Sequence, residues 1–254
     1  MNMLLSRNPI AARNVSEAWV FAACQVNEQP SHEAFHLAVI IDDPLKEILE
    51  VHNGIDEFYS QDSEKYKYRV GSVSNTIFPI NIAKRSKNVE ELCTRYRTLY
   101  PRLRRLRINR RGTYFGRLVE LHNEHDQFLT MLKKLNGEHI FSANYELQIY
   151  IATRDAKKNR GFPCLSFCSL QRDHNSLHMM AYYRSQCMIS RAYGNYLGLG
   201  RLLWYSAMQS NLQVGTLTVI AGRAYIDGSQ ASIKPLLSNS RTILKIEEVL
   251  HETE

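Results

Sequence analysis

The stretch GFPCLSFCSLQRDHNSLHMMAYYRSQ, residues 161–186, decides the fold because it has the pattern of two strands joined by a polar turn. Residues 163–171 and 176–185 are rich in apolar and aromatic side chains, and the segment RDHN between them is typical of a hairpin turn. We place the turn near His174, which fixes the register of the antiparallel pair. The predicted pairs are Cys164 with Arg184, Ser166 with Tyr182, and Cys168 with Met180.

The predicted pair of Cys164 and Arg184 suggests covalent chemistry. Directly opposed residues have Cβ atoms about 4.5–5.5 Å apart, so this register sets a guanidinium beside a thiol. A nearby cation favours the thiolate, which is the nucleophilic form of cysteine. Arg184 and Ser185 together offer donors for an anionic group. In the alternative interpretation, Cys164 is an ordinary small buried residue and Arg184 a surface charge.

A metal site is the other interpretation of this stretch, because cysteines and histidines cluster around it. Zinc takes both residue types as ligands. However, the spacing contains no Cys-x-x-Cys pair, and the pleat of a strand turns Cys187 away from His174. We therefore predict no metal. The clustered residues are Cys164, Cys168, His174, His178 and Cys187.

Length and composition predict one ordered globular domain covering residues 1–254. No apolar run approaches the about 20 residues of a membrane helix, and the apolar patch near the N-terminus is too short for a signal peptide. Five cysteines, an odd number, fit reduced thiols better than a disulfide framework. A cytoplasmic protein without a membrane partner is the expectation.

The positive charge is concentrated in one segment. The net charge is +7, and residues 93–119 contain nine arginines and no acidic residue. Such a segment indicates an anionic partner, and residues 95–111 are a candidate for binding nucleic acid. A solvated, salt-bridged face is the alternative interpretation.

Hydrophobic spacing predicts the remaining elements. Ser16 is the expected N-cap of the first helix, and Asn136-Gly137 supplies the end of the third. Strands and helices mix without strict β-α-β alternation, which favours an α+β fold. The predicted helices are 16–28, 88–100, 117–136 and 190–211, and the predicted strands outside the hairpin are 35–41, 144–153 and 214–226.

Three features at fixed offsets resemble the thymidylate synthase family. They are the Pro163-Cys164 pair, the Arg184-Ser185 pair twenty residues later, and Asn195 eleven residues after Arg184. The segment TYFGRL, residues 113–118, is similar to that family's Tyr-x-x-Arg-Leu element. The resemblance covers roughly residues 110–230. It implies a thymidylate-synthase-like fold, in which helices flank a large mixed β-sheet, and a homodimer.

The resemblance also implies roles for individual residues. Cys164 is the expected nucleophile that adds to C6 of a pyrimidine nucleotide, which makes C5 reactive towards a one-carbon unit. Hydride then gives a methyl group and water a hydroxymethyl group, with 5,10-methylenetetrahydrofolate as the cofactor. Arg184 and Ser185 are the expected phosphate ligands, and Asn195 reads the base. Further sugar or base contacts are expected from Tyr225, Asp227 and Tyr114.

Several positions depart from the family's pattern. Leu165 replaces the usual histidine after the nucleophile, and Cys187 replaces an aspartate associated with folate and proton transfer. Tyr225 and Asp227 stand where the family has histidine and tyrosine. The arginines that a partner subunit lends in the family align near 144–145, where this chain has none, so residues 95–111 are an alternative source of phosphate contacts.

These departures leave three functional hypotheses open. The first is a methyl- or hydroxymethyltransferase acting at C5 of a pyrimidine nucleotide. The second is a nucleotide-binding or regulatory homologue that has lost folate-dependent transfer. The third is a basic nucleic-acid-binding protein.

Overall fold

A mixed sheet of seven strands organises the part of the chain that the structure describes. The structure is a computed structural model that describes residues 8–60, 68–120 and 126–252. The strands are β1 (Ile10–Asn14), β2 (Glu33–Asp43), β3 (Tyr145–Gln148), β4 (Leu165–Asp173), β5 (Ser176–Tyr183), β6 (Gln186–Cys187) and β7 (Gln213–Tyr225).

The sheet order is β1-β2-β7-β5-β4-β3, with β6 pairing β7 beyond the end of β5. β1 runs parallel to β2, and β5 and β6 run parallel to β7, whereas the other neighbours are antiparallel. The helices that flank the sheet share one hydrophobic core with it. They are α1 (Val15–Asn27), α2 (Leu49–Phe58), α3 (Val70–Ile77), α4 (Ile80–Ala83), α5 (Val89–Arg105), α6 (Tyr114–Val119), α7 (Gln127–Leu135), α8 (Ala152–Asp155), α9 (Tyr193–Gln209) and α10 (Gln230–Glu252).

The predicted mixed sheet flanked by helices, in one domain, is therefore confirmed. One face of the sheet is covered, because alternate residues of the central strands, such as Leu37, Ala181 and Val219, are buried. The residues between them, such as Ile40 and Ile220, are only half-buried. Among the described helices, none is long and apolar enough to span a membrane.

The hairpin forms as predicted, but its register is wrong over most of its length. The backbone N–H of Arg184 donates to the carbonyl oxygen of Cys164 at 2.9 Å, so these two residues are neighbours as predicted. A bulge at Ser166 then shifts the pairing by one residue. The pairs beyond the bulge are Phe167 with Tyr182, Cys168 with Ala181, and Ser169 with Met180.

Two helix predictions are also corrected. The first helix is capped by Asn14, whose side chain accepts from the backbone N–H groups of Ser16 and Glu17, and not by Ser16. The predicted helix 117–136 is two helices, α6 and α7, of which the second begins at its own cap: Asp126 accepts from the N–H of Leu129 at 2.8 Å. The helix α10 was not among the predicted elements.

The glycines of α9 permit close packing, although glycine weakens an isolated helix. A Cβ atom on Gly194 would lie 2.6 Å from Cβ of Val73 in α3, and one on Gly200 would overlap the carbonyl oxygen of Pro44. The glycines are thus required by tertiary contact with α3 and with the segment after β2.

Replacing Gly200 with alanine is expected to destabilise the protein by roughly 1–3 kcal/mol, because the backbone at Pro44 must move. Urea unfolding measures the change. Gly54→Ala is the matched control: Gly54 lies inside α2 with no neighbouring atom within 4 Å of an added Cβ, so about 1 kcal/mol of stabilisation is expected. Equal effects of the two variants would contradict the packing argument.

Candidate active site

A cavity of about 250 Å³ lies where the loop before β4 meets the segment after β5. Five parts of the chain form its wall: the end of α3, the segment 109–117 that leads into α6, the loop 161–164, residues 185–187, and the start of α9 with the helical turn before it. The lining residues are Thr76, Asn109, Arg111, Gly112, Thr113, Tyr114, Arg117, Gly161, Phe162, Pro163, Cys164, Ser185, Gln186, Cys187, Arg191 and Asn195.

The cavity has a strongly positive wall. Three arginines line it, whereas none of the described lining residues is acidic. The charge of Arg117 is compensated by an ion pair with the buried Asp155, in which Nη1 lies 2.6 Å from Oδ2. Arg111 and Arg191 have no carboxylate partner among the described residues, so two uncompensated cations remain to attract an anion.

Arg111 and Arg191 reach the cavity from different directions. The guanidinium of Arg111 lies over Gly161, where a Cβ atom would overlap it. Arg191 belongs to a π-helical turn, Met188–Ala192, and its guanidinium lies 5.0 Å from the centre of the Tyr68 ring. Such turns are frequent at functional sites. The carboxylate of Asp227 accepts from the N–H groups at the start of this turn and holds it in place.

Arg184 holds the loop that carries Cys164. Its Nε donates to the carbonyl oxygen of Pro163 at 3.1 Å and its Nη2 to that of Phe162 at 3.3 Å. The guanidinium also stacks on the Phe162 ring at 3.8 Å. Arg184 is not among the described residues that line the cavity, so its observed contacts are positioning contacts, and phosphate binding by it stays a prediction.

Tyr114 lines the cavity together with Cys164. Burial, and to a smaller extent the charge of Cys164, raise the pKa of Tyr114 to about 12, against the opposing effects of Arg191 and the backbone at Leu165. The phenol is therefore protonated at neutral pH and can donate a hydrogen bond. Thr113 is the N-cap of α6, and its hydroxyl oxygen accepts from the N–H of Gly116 at 3.1 Å. Tyr114 is therefore the first residue of this helix.

Asn195 and Ser185 line the same cavity as Cys164. Asn195 is 4% exposed and lies in the first turn of α9. Its carboxamide has both a donor and an acceptor, as recognition of a base edge requires. Ser185 lies between β5 and β6 and is half-buried.

Cys187 faces the cavity as a neutral thiol. Burial raises its pKa, and the nearby charges of Asp227 and Cys164 add to this rise. Its Sγ lies 2.8 Å from the hydroxyl oxygen of Tyr225. Tyr225 and Asp227 do not belong to the described lining residues, so the structure places them behind Cys187 and the π-helical turn, and their expected sugar contacts stay a prediction.

The structure thus gathers Cys164, Ser185, Asn195 and Tyr114 around one cavity. Sequence reasoning missed Arg191, although a single arginine in the apolar stretch MISRAYGNYL was a usable indication. Arg111 lies at the end of the arginine-rich segment, which we had singled out only as a whole. Among the described residues, no group of three or more His, Cys, Asp or Glu could hold a metal ion.

Neither a scan against protein-family models nor a search of curated proteins found a match to this chain.

Proposed function

We propose that the protein is a transferase that modifies C5 of a pyrimidine nucleotide through a covalent bond between Cys164 and C6, with a thymidylate-synthase-like fold. The observation that carries this proposal is the shared cavity of Cys164, Ser185 and Asn195, whose wall has uncompensated arginines and no acidic residue among those described. A nucleotide has the matching chemistry, with an anionic phosphate and a polar base edge.

The geometry supports a short sequence of bond changes. Sγ of Cys164 gives up its proton to water and bonds to C6 as the thiolate. The electron pair of the C5–C6 double bond then moves through C4 towards its oxygen in uracil, or towards the ring nitrogen N3 in cytosine. Asn195 pairs with the base edge and holds C6 against the thiol. The hydroxyl of Tyr114 donates a hydrogen bond to the negative charge that develops on the ring. C5 is then the nucleophile that takes up a one-carbon unit.

The resemblance implies 5,10-methylenetetrahydrofolate as the one-carbon donor. The donor set of the cavity does not fit this folate as the family binds it, because Cys187, a neutral thiol, stands at the position of the family's aspartate. No other described lining residue supplies a carboxylate. We therefore derive no step through folate, and the chemistry assigned to this chain ends at the reactive C5.

Calorimetry with dUMP and dCMP tests the nucleotide site directly. Asn195→Ala is expected to weaken binding of the preferred nucleotide by about tenfold to a hundredfold, the range for a lost buried hydrogen bond. Asn53→Ala, an exposed position on α2, is the control and should leave binding unchanged. Wild-type protein that binds neither nucleotide would overturn the proposed function.

A homodimer is part of the proposal. The uncovered face of the sheet, with half-buried apolar residues such as Ile40 and Ile220, supports pairing with a second copy. Sedimentation equilibrium measures the mass of the assembly, and a monomer at the concentrations used for calorimetry would contradict it.

A second candidate function is nucleotide binding without one-carbon transfer. The absence of an acidic residue from the described cavity wall favours it, because proton transfer at C5 requires a base. Mass spectrometry of the intact protein with a 5-fluoropyrimidine nucleotide separates the two functions. A transferase of the proposed mechanism forms a covalent adduct at Cys164, whereas a protein that only binds the nucleotide forms none.

A further inference from the structure

Two exposed basic segments, 102–111 and 154–160, border the candidate active site. Together they contain ten lysines and arginines. Among the described residues, only Lys158 of these ten forms an ion pair, with Asp155. Like charges at this density repel one another, and an anionic partner relieves the repulsion. The ten cations are Arg102, Arg104, Arg105, Arg107, Arg110, Arg111, Arg154, Lys157, Lys158 and Arg160.

Two of these cations lie near the cavity wall at different points. The guanidinium of Arg104 is 5.9 Å from the centre of the Tyr100 ring. A Cβ atom on Gly112, which lines the cavity, would lie 2.6 Å from the Tyr100 hydroxyl oxygen. Arg154 lies in α8 directly before the buried Asp155, whose carboxylate binds the lining residue Arg117.

Two more cations lie beside the neighbouring wall. Arg111 covers Gly161, as described above, and itself lines the cavity. Nζ of Lys158 is 3.2 Å from Oδ1 of Asp155, whose other oxygen binds the lining residue Arg117. We call Arg104, Arg111, Arg154 and Lys158 the basic rim, because Arg111 lines the cavity and each of the other three is separated from a lining residue by one intervening residue, Tyr100 or Asp155.

We propose that the basic rim binds the phosphates of a single-stranded nucleic acid, and that the pyrimidine entering the cavity is one nucleotide of that strand. The inference rests on the proposed function, since it concerns the same cavity and Cys164. The phosphate of a free nucleotide needs only the cations inside the cavity, Arg111 and Arg191. The other three cations of the basic rim, Arg104, Arg154 and Lys158, are exposed outside the cavity and correspond to the phosphates of neighbouring nucleotides.

A single strand fits this arrangement better than a duplex does. A base must leave its stack before it can enter a closed pocket, and the cost is least when the nucleic acid is already single-stranded.

Fluorescence anisotropy with a short labelled strand that contains one deoxyuridine tests the inference, in deoxyribose and ribose forms. We expect the strand to bind at least about tenfold more tightly than dUMP, and an excess of dUMP to displace it. The double variant Arg104→Gln/Arg154→Gln should weaken strand binding at least about tenfold. It should also reduce the slope of log K against log salt by roughly 1.4, which is two phosphate contacts on a single strand.

The controls distinguish strand binding by the basic rim from a general effect of positive charge and from nucleotide binding in the cavity. The double variant should bind dUMP as wild type does. Lys133→Gln/Lys134→Gln removes the same charge from exposed positions on α7 and should change neither ligand's binding. The inference is overturned if the strand binds no more tightly than dUMP, if the two double variants weaken it equally, or if poly-glutamate of equal charge competes as well as the strand. Protein that binds neither dUMP, dCMP nor the strand overturns the proposed function as well.

Discussion

Replacing Cys164 with alanine is expected to abolish turnover, with a loss of at least about a thousandfold, because removal of a covalent nucleophile leaves only binding and electrostatic contributions. The variant should also fail to form a covalent adduct with a 5-fluoropyrimidine nucleotide, which mass spectrometry of the intact protein detects. Binding of the unmodified nucleotide should persist, since Asn195, Arg111 and Arg191 remain in the cavity.

Cys168→Ala is the matched control for this experiment. Cys168 lies on the same strand, β4, and is fully buried, and burial raises its pKa to about 12. Its thiol is not among the described groups that line the cavity. The control variant should therefore form the adduct at the wild-type rate. A Cys164→Ala protein that turns over normally would show that the covalent mechanism is wrong, whatever the nucleotide affinity.

The hairpin prediction was correct for the two strands and wrong for most of their register. The apolar pattern and the polar turn predicted the two strands, and the contact of Cys164 with Arg184 followed. The bulge could not be predicted, because it depends on a third strand. The carbonyl oxygen of Ser166 accepts from both Ile149 at 2.9 Å and Tyr150 at 2.8 Å, which follow β3. The alternation of apolar and polar residues within the hairpin gives no indication of that contact with residues 149–150.

The residues of the candidate site also fall into those that could be predicted from the sequence and those that could not. Cys164 and Ser185 could be predicted to lie close together because the hairpin brings their two strands side by side, whereas Asn195 was expected at the same site only from the resemblance to thymidylate synthase. Arg111 comes from a distant segment and reaches the cavity only because a glycine at 161 leaves room for its guanidinium. Arg191 depends on the π-helical turn, which the hydrophobic spacing of 190–211 does not distinguish from an ordinary helix.

Loss of the buried ion pair between Arg117 and Asp155 is the other change with a large expected effect, here on the free energy of unfolding. Asp155→Asn is expected to destabilise the protein by about 3–5 kcal/mol, because it leaves the buried guanidinium of Arg117 without a counterion. The side chains of Arg117 and Asp155 are 3% and 0% exposed, so water cannot replace the lost partner. Urea unfolding at neutral pH measures the change. Arg95→Ala, which breaks an exposed pair with Glu91, should cost no more than about 1 kcal/mol.

Acid provides a second, independent measurement of the same pair. Burial alone would raise the pKa of Asp155, but hydrogen bonds from Arg117 and from the N–H of Ile151 outweigh it and lower the pKa to about 2 from 3.8. As the pH falls, the unfolded chain takes up the proton first, so this carboxylate's contribution is complete above about pH 5 and is lost as the pH falls towards 2. Wild type should therefore lose more stability than Asp155→Asn across that range. Parallel acid profiles for the two proteins would show that the ion pair contributes nothing to folding, and that Arg117 is held at the cavity by its other contacts.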